Sequence, residues 1–407
     1  MSTLTRRGPG AVPQAPDKPR LVGLPLAVTF LSEFTSLTSF LLLISVIPML
    51  AVAGGASSAA AGLITGALLA GTVAAEAAAS FAIRRFGYRT VLAAGALLLG
   101  GPTLALLWHQ PQAAMIAVSF VRGLGFGLCG VAAGSLTALL LPPERRGEGL
   151  GLLGLVSGVP AIVALPAGAW LGGHHQATLT AAVAAVTGLL PLAALRWLPA
   201  GRPRAQASAL AGARSHAPFR LPLIFAACTV AAGVIDSFLP IAKGVPNSIS
   251  SAALLASAVT ATISRWQSGR HGDRYGHARL LIPAVAATAL GVAVMTWLGS
   301  PAALLAGGIV FGAGFGAVEN STFALLIERV PEDKASALWN LAYDAGYGAG
   351  PLMFGLFSAR TGYPLAFALT GALVLASLPL ALRERTASAR PAVPRDAAVS
   401  QRPRSTQ

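Results

Sequence analysis

An all-α fold that crosses a membrane twelve times is what this sequence predicts, and three observations predict it. Of 407 residues, 55% are hydrophobic and only 11% charged, with a mean hydropathy of +0.69; a soluble globule carries about a quarter charged residues. Runs of about 20 nearly uncharged apolar residues, each able to cross a hydrocarbon core ~30 Å thick as a helix, recur from Leu21 almost to the end. The basic residues also alternate from loop to loop. Of 29 Lys and Arg, only Lys243 and Arg360 fall in loops of one side and only Arg122 and Arg265 inside spans. The rest share the other side with both tails, the positive-inside signature of a multi-pass protein of the cell membrane with both termini cytoplasmic.

The spans are expected at 22–50, 57–82, 89–109, 112–140, 149–172 and 177–198, then at 219–242, 249–269, 278–298, 302–329, 334–359 and 363–383. Residues 1–20 hold Pro9, Pro13, Pro16 and Pro19 and no apolar core for a cleaved signal peptide, so they read as a disordered cytoplasmic tail, and the first span directs insertion. Residues 21–200 then make an N-terminal six-helix bundle. Residues 201–218, basic and rich in small side chains, make a cytoplasmic linker. Residues 219–385 make a C-terminal six-helix bundle, and 386–407, with Pro391, Pro394 and Pro403, a disordered cytoplasmic tail. Trp108, Trp170 and Trp297 fall at span ends on one side, and Trp197, Trp266 and Trp339 on the other, as an interfacial belt requires. No alternating strand pattern suggests a barrel.

The two bundles read as copies. A shift of 189 residues lays Arg85-Phe86-Gly87 on Arg274-Tyr275-Gly276, and the same shift lays Gly123-Leu124-Gly125-Phe126-Gly127 on Gly312-Ala313-Gly314-Phe315-Gly316. One register serving two separate motifs indicates a duplicated six-helix unit, a plan used by transporters that bind between pseudo-symmetric halves.

The stretch GRHGDRYGHAR, Gly269 to Arg279, resembles the loop signature of the major facilitator superfamily between the second and third helices of a half. LPPERRGEGLG, 141–151, resembles the loop after the fourth helix of its drug:proton antiporters, and GYGAGPLMFG, 346–355, their Gly-x-x-x-Gly-Pro helix motif. The resemblance implies that Gly269, Asp273, Arg274 and Gly276 belong to a cytoplasmic gate. Asp273 would pair with Arg and with the positive end of a neighbouring helix, and Gly276 would turn the chain, as Gly does cheaply. The first half has Arg84 where the second has Asp273, so its latch is missing or reversed. Its fifth span has Leu165-Pro166 where the motif has Gly-Pro; Pro160 and Pro166 are still expected to disturb that helix.

A charge inside the hydrocarbon costs roughly 2.5–3.5 kcal/mol even on a mild scale, so each one kept is a functional candidate. Glu33 sits mid-span with Thr29, Ser32, Ser36 and Ser39 at helical spacing, a polar stripe expected to line a cavity; the resemblance implies that proton and substrate compete for an acid on this helix. Asp344, Asn340 and Tyr347 share a face of the eleventh span. Glu319 and Asn320 interrupt the tenth after Gly308, Gly312 and Gly316, a spacing that suits close helix contact. Asp236 lies towards the outer end of the seventh, either solvated or binding. Arg122 begins RGLGFG, like the superfamily's fourth-helix motif linked to proton coupling, and is expected to pair with Glu33 or Glu76 or to be a fixed bridge. Glu76 aligns with Arg265 at the repeat offset, which suggests an ion pair across the pseudo-twofold axis with a gating role.

The formal net charge of +15 invites a nucleic-acid reading, which the loop-by-loop alternation excludes. There is no P-loop, zinc spacing or nucleophile elbow, so neither an enzyme nor a cofactor or metal is expected. Cys129 and Cys228 lack spacing partners. The sequence thus reads as a monomeric carrier, in a lipid bilayer, of protons and a small-molecule substrate. Proton-coupled efflux of an apolar or cationic compound, which the resemblance to the antiporters implies, comes first, and the excess of acids over bases in the spans favours cationic or neutral cargo over an anion. Proton-coupled import of a nutrient is the alternative, and a transport-dead sensor on the same fold a third.

Overall fold

The computed structural model describes residues 23–108, 110–141, 146–198, 219–330 and 332–388. Among them the regular structure is helical throughout. The first crossing is α1 (Leu24–Ile44) continued by α2 (Val46–Ala53), with the step at Ser45. There follow α3 (Ser58–Phe86), α4 (Tyr88–Gly100) extended by a 3₁₀ turn Pro102–Leu107, α5 (Gln112–Leu140) and α6 (Arg146–Gly173). The sixth crossing is α7 (Ala177–Leu189) with α8 (Pro191–Ala194). The second half runs α9 (Arg220–Phe238), α10 (Asn247–Tyr275), α11 (His277–Val294), α12 (Pro301–Ile327), α13 (Glu332–Thr361), then α14 (Tyr363–Ala376) with α15 (Leu378–Ser388). The chain is a polytopic membrane protein of twelve crossings. The face with the Arg-rich connections and both chain ends is called the basic face here.

Ten crossings are long and apolar enough to span a bilayer on composition alone. The two that fall short, α10 and α13, are those that meet the other half: α3 packs on α13 and α6 on α10. A helix that borders a polar interface is free to carry polar residues that lipid would penalise. Small residues let these backbones approach. A Cβ on Gly62 of α3 would lie 2.2 Å from the Pro351 carbonyl oxygen of α13, so only Gly fits. Gly308, Gly312 and Gly316 of α12 face Ala253, Ser257 and Ala261 of α10 in the same way, the close helix contact their spacing suits.

The boundaries differ from the sequence expectations where polar helix ends leave the membrane. GRHGDRYGHAR is not a loop: α10 runs through Gly269, Asp273 and Arg274 to Tyr275, and the turn is Gly276 alone, at φ 91°. Exposed polar residues are no obstacle to a helix that has reached water, where its own hydrogen bonds continue. In the same way α15 continues to Ser388, past the expected start of the tail at 386. Helix α6 runs unbroken through Pro160 and Pro166. The tail 1–20 and the linker 201–218 lie outside the described residues, as do residues 142–145; from Arg146 the stretch 141–151 belongs to α6. Trp339 departs from the belt: it packs on Phe225 at 4.5 Å between ring centroids, whereas Trp108, Trp170, Trp197, Trp266 and Trp297 are exposed.

Candidate functional site

The halves are tied together from mid-membrane to the face opposite the basic one. Ser45 Oγ donates to the Asp236 carbonyl oxygen at 2.5 Å, Thr65 and Ser237 hydroxyls meet at 3.2 Å, and Ser58 meets the Tyr363 hydroxyl at 3.2 Å. At the far end of the α6–α10 seam, Asn247 Nδ2 donates to the Trp170 carbonyl at 2.9 Å. Gly355 of α13 packs on Ser58 and Gly348 on Leu69. None of these hydroxyls stands out in the sequence, because an isolated Ser or Thr in a span more often bonds back to its own helix.

Helix α13 supplies the centre of the site. Its i, i+4 spacing stacks Trp339, Tyr343 and Tyr347 in a column, with centroids 5.9 and 5.5 Å apart. Tyr347, buried, donates to Asp236 Oδ2 at 2.5 Å. Asp236 is therefore held from two directions, its side chain by α13 and its backbone by the other half. One turn back lies Asp344, also buried on this helix. Asn340 of the same face is exposed.

Arg265 does not reach Glu76. It pairs with Glu319 of α12, its Nε 3.0 Å from Glu319 Oε2, because α10 packs on α12 along the glycine ladder and carries Arg265 there. The expected pair across the pseudo-twofold axis is thus replaced by one within the second half, and Glu76, half-buried, is not part of it. Asn320, beside Glu319, is half-buried, and its Nδ2 has no partner among the described residues.

Arg122 meets neither Glu33 nor Glu76. It is fully buried; its Nε donates to Thr103 Oγ1 at 2.9 Å and its Nη2 to the Ser39 carbonyl at 2.8 Å, while Nη1 finds no partner among the described residues. The register of α5 points it between the middle of α1 and the Pro102–Leu107 turn. The polar stripe on α1 does not line open space either. Thr29, Ser32, Ser36 and Ser39 are buried; Thr29 and Ser32 bond back to Pro25 and Val28, and Ser39 donates to the Ala184 carbonyl of α7 at 2.7 Å. Glu33 stands apart, half-buried and with no hydrogen-bond or ion-pair partner among the described residues.

On the basic face, Asp273 is 78% exposed and touches only its own helical neighbourhood, 3.4 Å from His277 Nε2. It engages no Arg, and its one neighbour, His277, opens α11. Arg274 and Arg84 are exposed. A feature the sequence did not signal lies nearby: Glu384 of α15 is fully buried between Arg220, at 3.1 Å, and Arg329. Its place at the end of the last span makes it look like a tail residue.

Two six-helix bundles that enclose ionisable groups between them and are closed towards one face define a polytopic carrier, not an enzyme. The comparisons with known proteins say which. The family model described as Major Facilitator Superfamily matches residues 29–336 and 249–405. The chain belongs to the major facilitator superfamily. Among solved structures it is similar to the nucleoside transporter NupG, at 17% identity and a TM-score of 0.68, over 91% of this chain and 100% of that one. It is also similar to a D-xylose-proton symporter, at 16% identity and a TM-score of 0.71, over 88% and 96%. No curated protein matches it significantly.

Proposed function

We propose that this protein is a proton-coupled secondary transporter that works by alternating access and carries a small polar metabolite inward. The observation that carries it is Asp236, whose side chain accepts from Tyr347 and whose backbone accepts from Ser45 of the other half, with the buried Asp344 and the Arg265–Glu319 pair on the same half. Charges that cost so much in hydrocarbon are kept where they can meet a solute and a proton. With the basic face in the cytoplasm, as the positive-inside rule places it, the structure is closed to the outside. A free Asp273 fits that state, since a cytoplasmic latch engages only when the inner side shuts. The inward direction is supported by the similar folds solved as a nucleoside transporter and a D-xylose-proton symporter.

Export by antiport is the second reading, favoured by the Gly346–Gly350-Pro351 motif, whose glycines pack α13 directly on Ala226 and Val230 of α9. Proteoliposomes loaded with a pH-sensitive dye separate the two. Symport predicts that external uridine or D-xylose drives protons in with the solute. Antiport predicts that internal tetraphenylphosphonium leaves as protons enter, and only that result would replace import by export. Proton movement with none of these solutes, across a broad metabolite panel, would remove the carrier reading.

A further inference from the structure

Two of the bonds that tie the halves end on one turn of α9. Ser45 Oγ, fully buried, donates to the Asp236 carbonyl at 2.5 Å, and the buried Ser237 and Thr65 hydroxyls meet at 3.2 Å. The same turn is fixed from its own half: Tyr347 donates to Asp236 Oδ2 at 2.5 Å, and a Cβ on Gly233 would lie 2.2 Å from the Tyr347 carbonyl oxygen. Asp236 thus meets α13 through its carboxylate and the end of α1 through its backbone.

Prolines make this joint available. A helical carbonyl accepts from the N–H four residues on. For Asp236 that residue is Pro240, which has no N–H, so the carbonyl is left for Ser45. Pro48 does the same to the Ile44 carbonyl, where α1 ends and the step at Ser45 begins.

The carboxylate itself has few partners. Asp236 is half-buried, Tyr347 is its one hydrogen-bond donor among the described residues, and no cation among them pairs with it. On α13, Asp344 is buried and Tyr343 stacks on Tyr347. Glu319 of α12 holds Arg265, Tyr363 of α14 is bonded to Ser58, and Glu76 of α3 is half-buried. Glu384 of α15 lies with Arg220 and Arg329 at the basic end of α9, and Lys243 and Arg360 are exposed at the opposite end. The basic ends of the helices packed on α9 carry Arg84 and Arg85, His277 and Arg279, Glu328, and Arg383 and Arg385. An ionised carboxylate accepts several hydrogen bonds in water. Ionised Asp236 therefore loses donors when the seam is tied and regains them when water enters it, whereas a proton removes the conflict.

We infer that Ser45 is a positioning residue: by fixing the Asp236 backbone across the seam, it makes the tying of the halves at the face opposite the basic one depend on a proton at Asp236. The inference rests on the carrier reading for its purpose, and serves import and export alike.

The test needs no substrate. Spin labels at Ala53 and Thr361, both exposed at that face, are placed in a Cys129→Ala/Cys228→Ala background in lipid nanodiscs, and distances are measured at pH 5 and pH 9. A short distance should dominate at pH 5, and the ratio of tied to open molecules should fall at least about tenfold at pH 9, the scale of one unmade hydrogen bond to a charged group. Asp236→Asn should stay tied at both. Ser45→Ala should shrink the response to about threefold or less, the scale of a neutral bond. Pro240→Ala, which returns an N–H to the Asp236 carbonyl, should shrink it from the other half, so one of these two that folds suffices. Ser58→Ala cuts a tie that does not involve Asp236; it should lower the tied fraction equally at both pH values and leave the response intact. An invariant wild type, a response that survives Asp236→Asn, or a Ser45→Ala that behaves like Ser58→Ala overturns the inference. Proton-driven uptake retained beside any of these refutes the role of Ser45 alone, and the expected responses without movement of any solute refute the carrier alone.

Discussion

At the scale of single residues, burial without a counter-charge is the clearest sign of work other than stability. Arg122 is fully buried against a hydroxyl and a carbonyl, with one guanidinium nitrogen unpartnered among the described residues. Burying an uncompensated cation is costly, and an apolar replacement of like volume is often neutral or stabilising. Arg122→Met is therefore expected to hold or raise Tm in a thermal-shift assay while proton-coupled uptake falls at least about tenfold. Glu384 is the opposite case, a buried carboxylate satisfied by Arg220 and Arg329. Glu384→Ala leaves two cations facing each other and should cost about 3–5 kcal/mol of stability, read from denaturation in detergent. The sequence singled out the intramembrane acids, because cost alone flags them. It could not name their partners. Arg122 and Glu33 share a half, and Glu76 and Arg265 share a repeat position, but pairing depends on which way each helix turns.

At the scale of helices, the seams between halves rest on residues that look ordinary in sequence. Gly62 is one small residue among many, yet a side chain there meets the Pro351 carbonyl at 2.2 Å. Gly62→Val should shift the carrier away from the closed seam, the 1–3 kcal/mol cost typical of overpacking appearing as faster labelling of a cysteine placed at Ala53. The loop signature shows the converse. Its residues were legible as a motif, but their helical state was not, since a polar stretch between apolar runs reads as a loop until the helix is seen to outrun the membrane. The two turns that remain, Gly87 at φ 85° and Gly276 at φ 91°, are the positions where only glycine is comfortable.

At the scale of the molecule, hydrogen bonds tie the halves together towards one face, and on the opposite, basic face Asp273 stays exposed. Asp273 is exposed and lies near only His277 at the start of α11, so Asp273→Asn should change stability by no more than about 0.5 kcal/mol, as exposed charges do. It should nevertheless slow transport, because the state in which the latch engages is not this one. An equal loss of stability and flux would return Asp273 to a structural role. Sequence by itself determined the membrane class, the twelve crossings and the duplicated halves, because hydropathy, charge alternation and repeat register are local or additive properties. Tertiary structure alone decided that Arg265 faces Glu319, that Tyr347 reaches Asp236 and that Glu384 lies between Arg220 and Arg329. Those pairings depend on helix rotation and on the small-residue contacts that set how closely and in what register the helices pack.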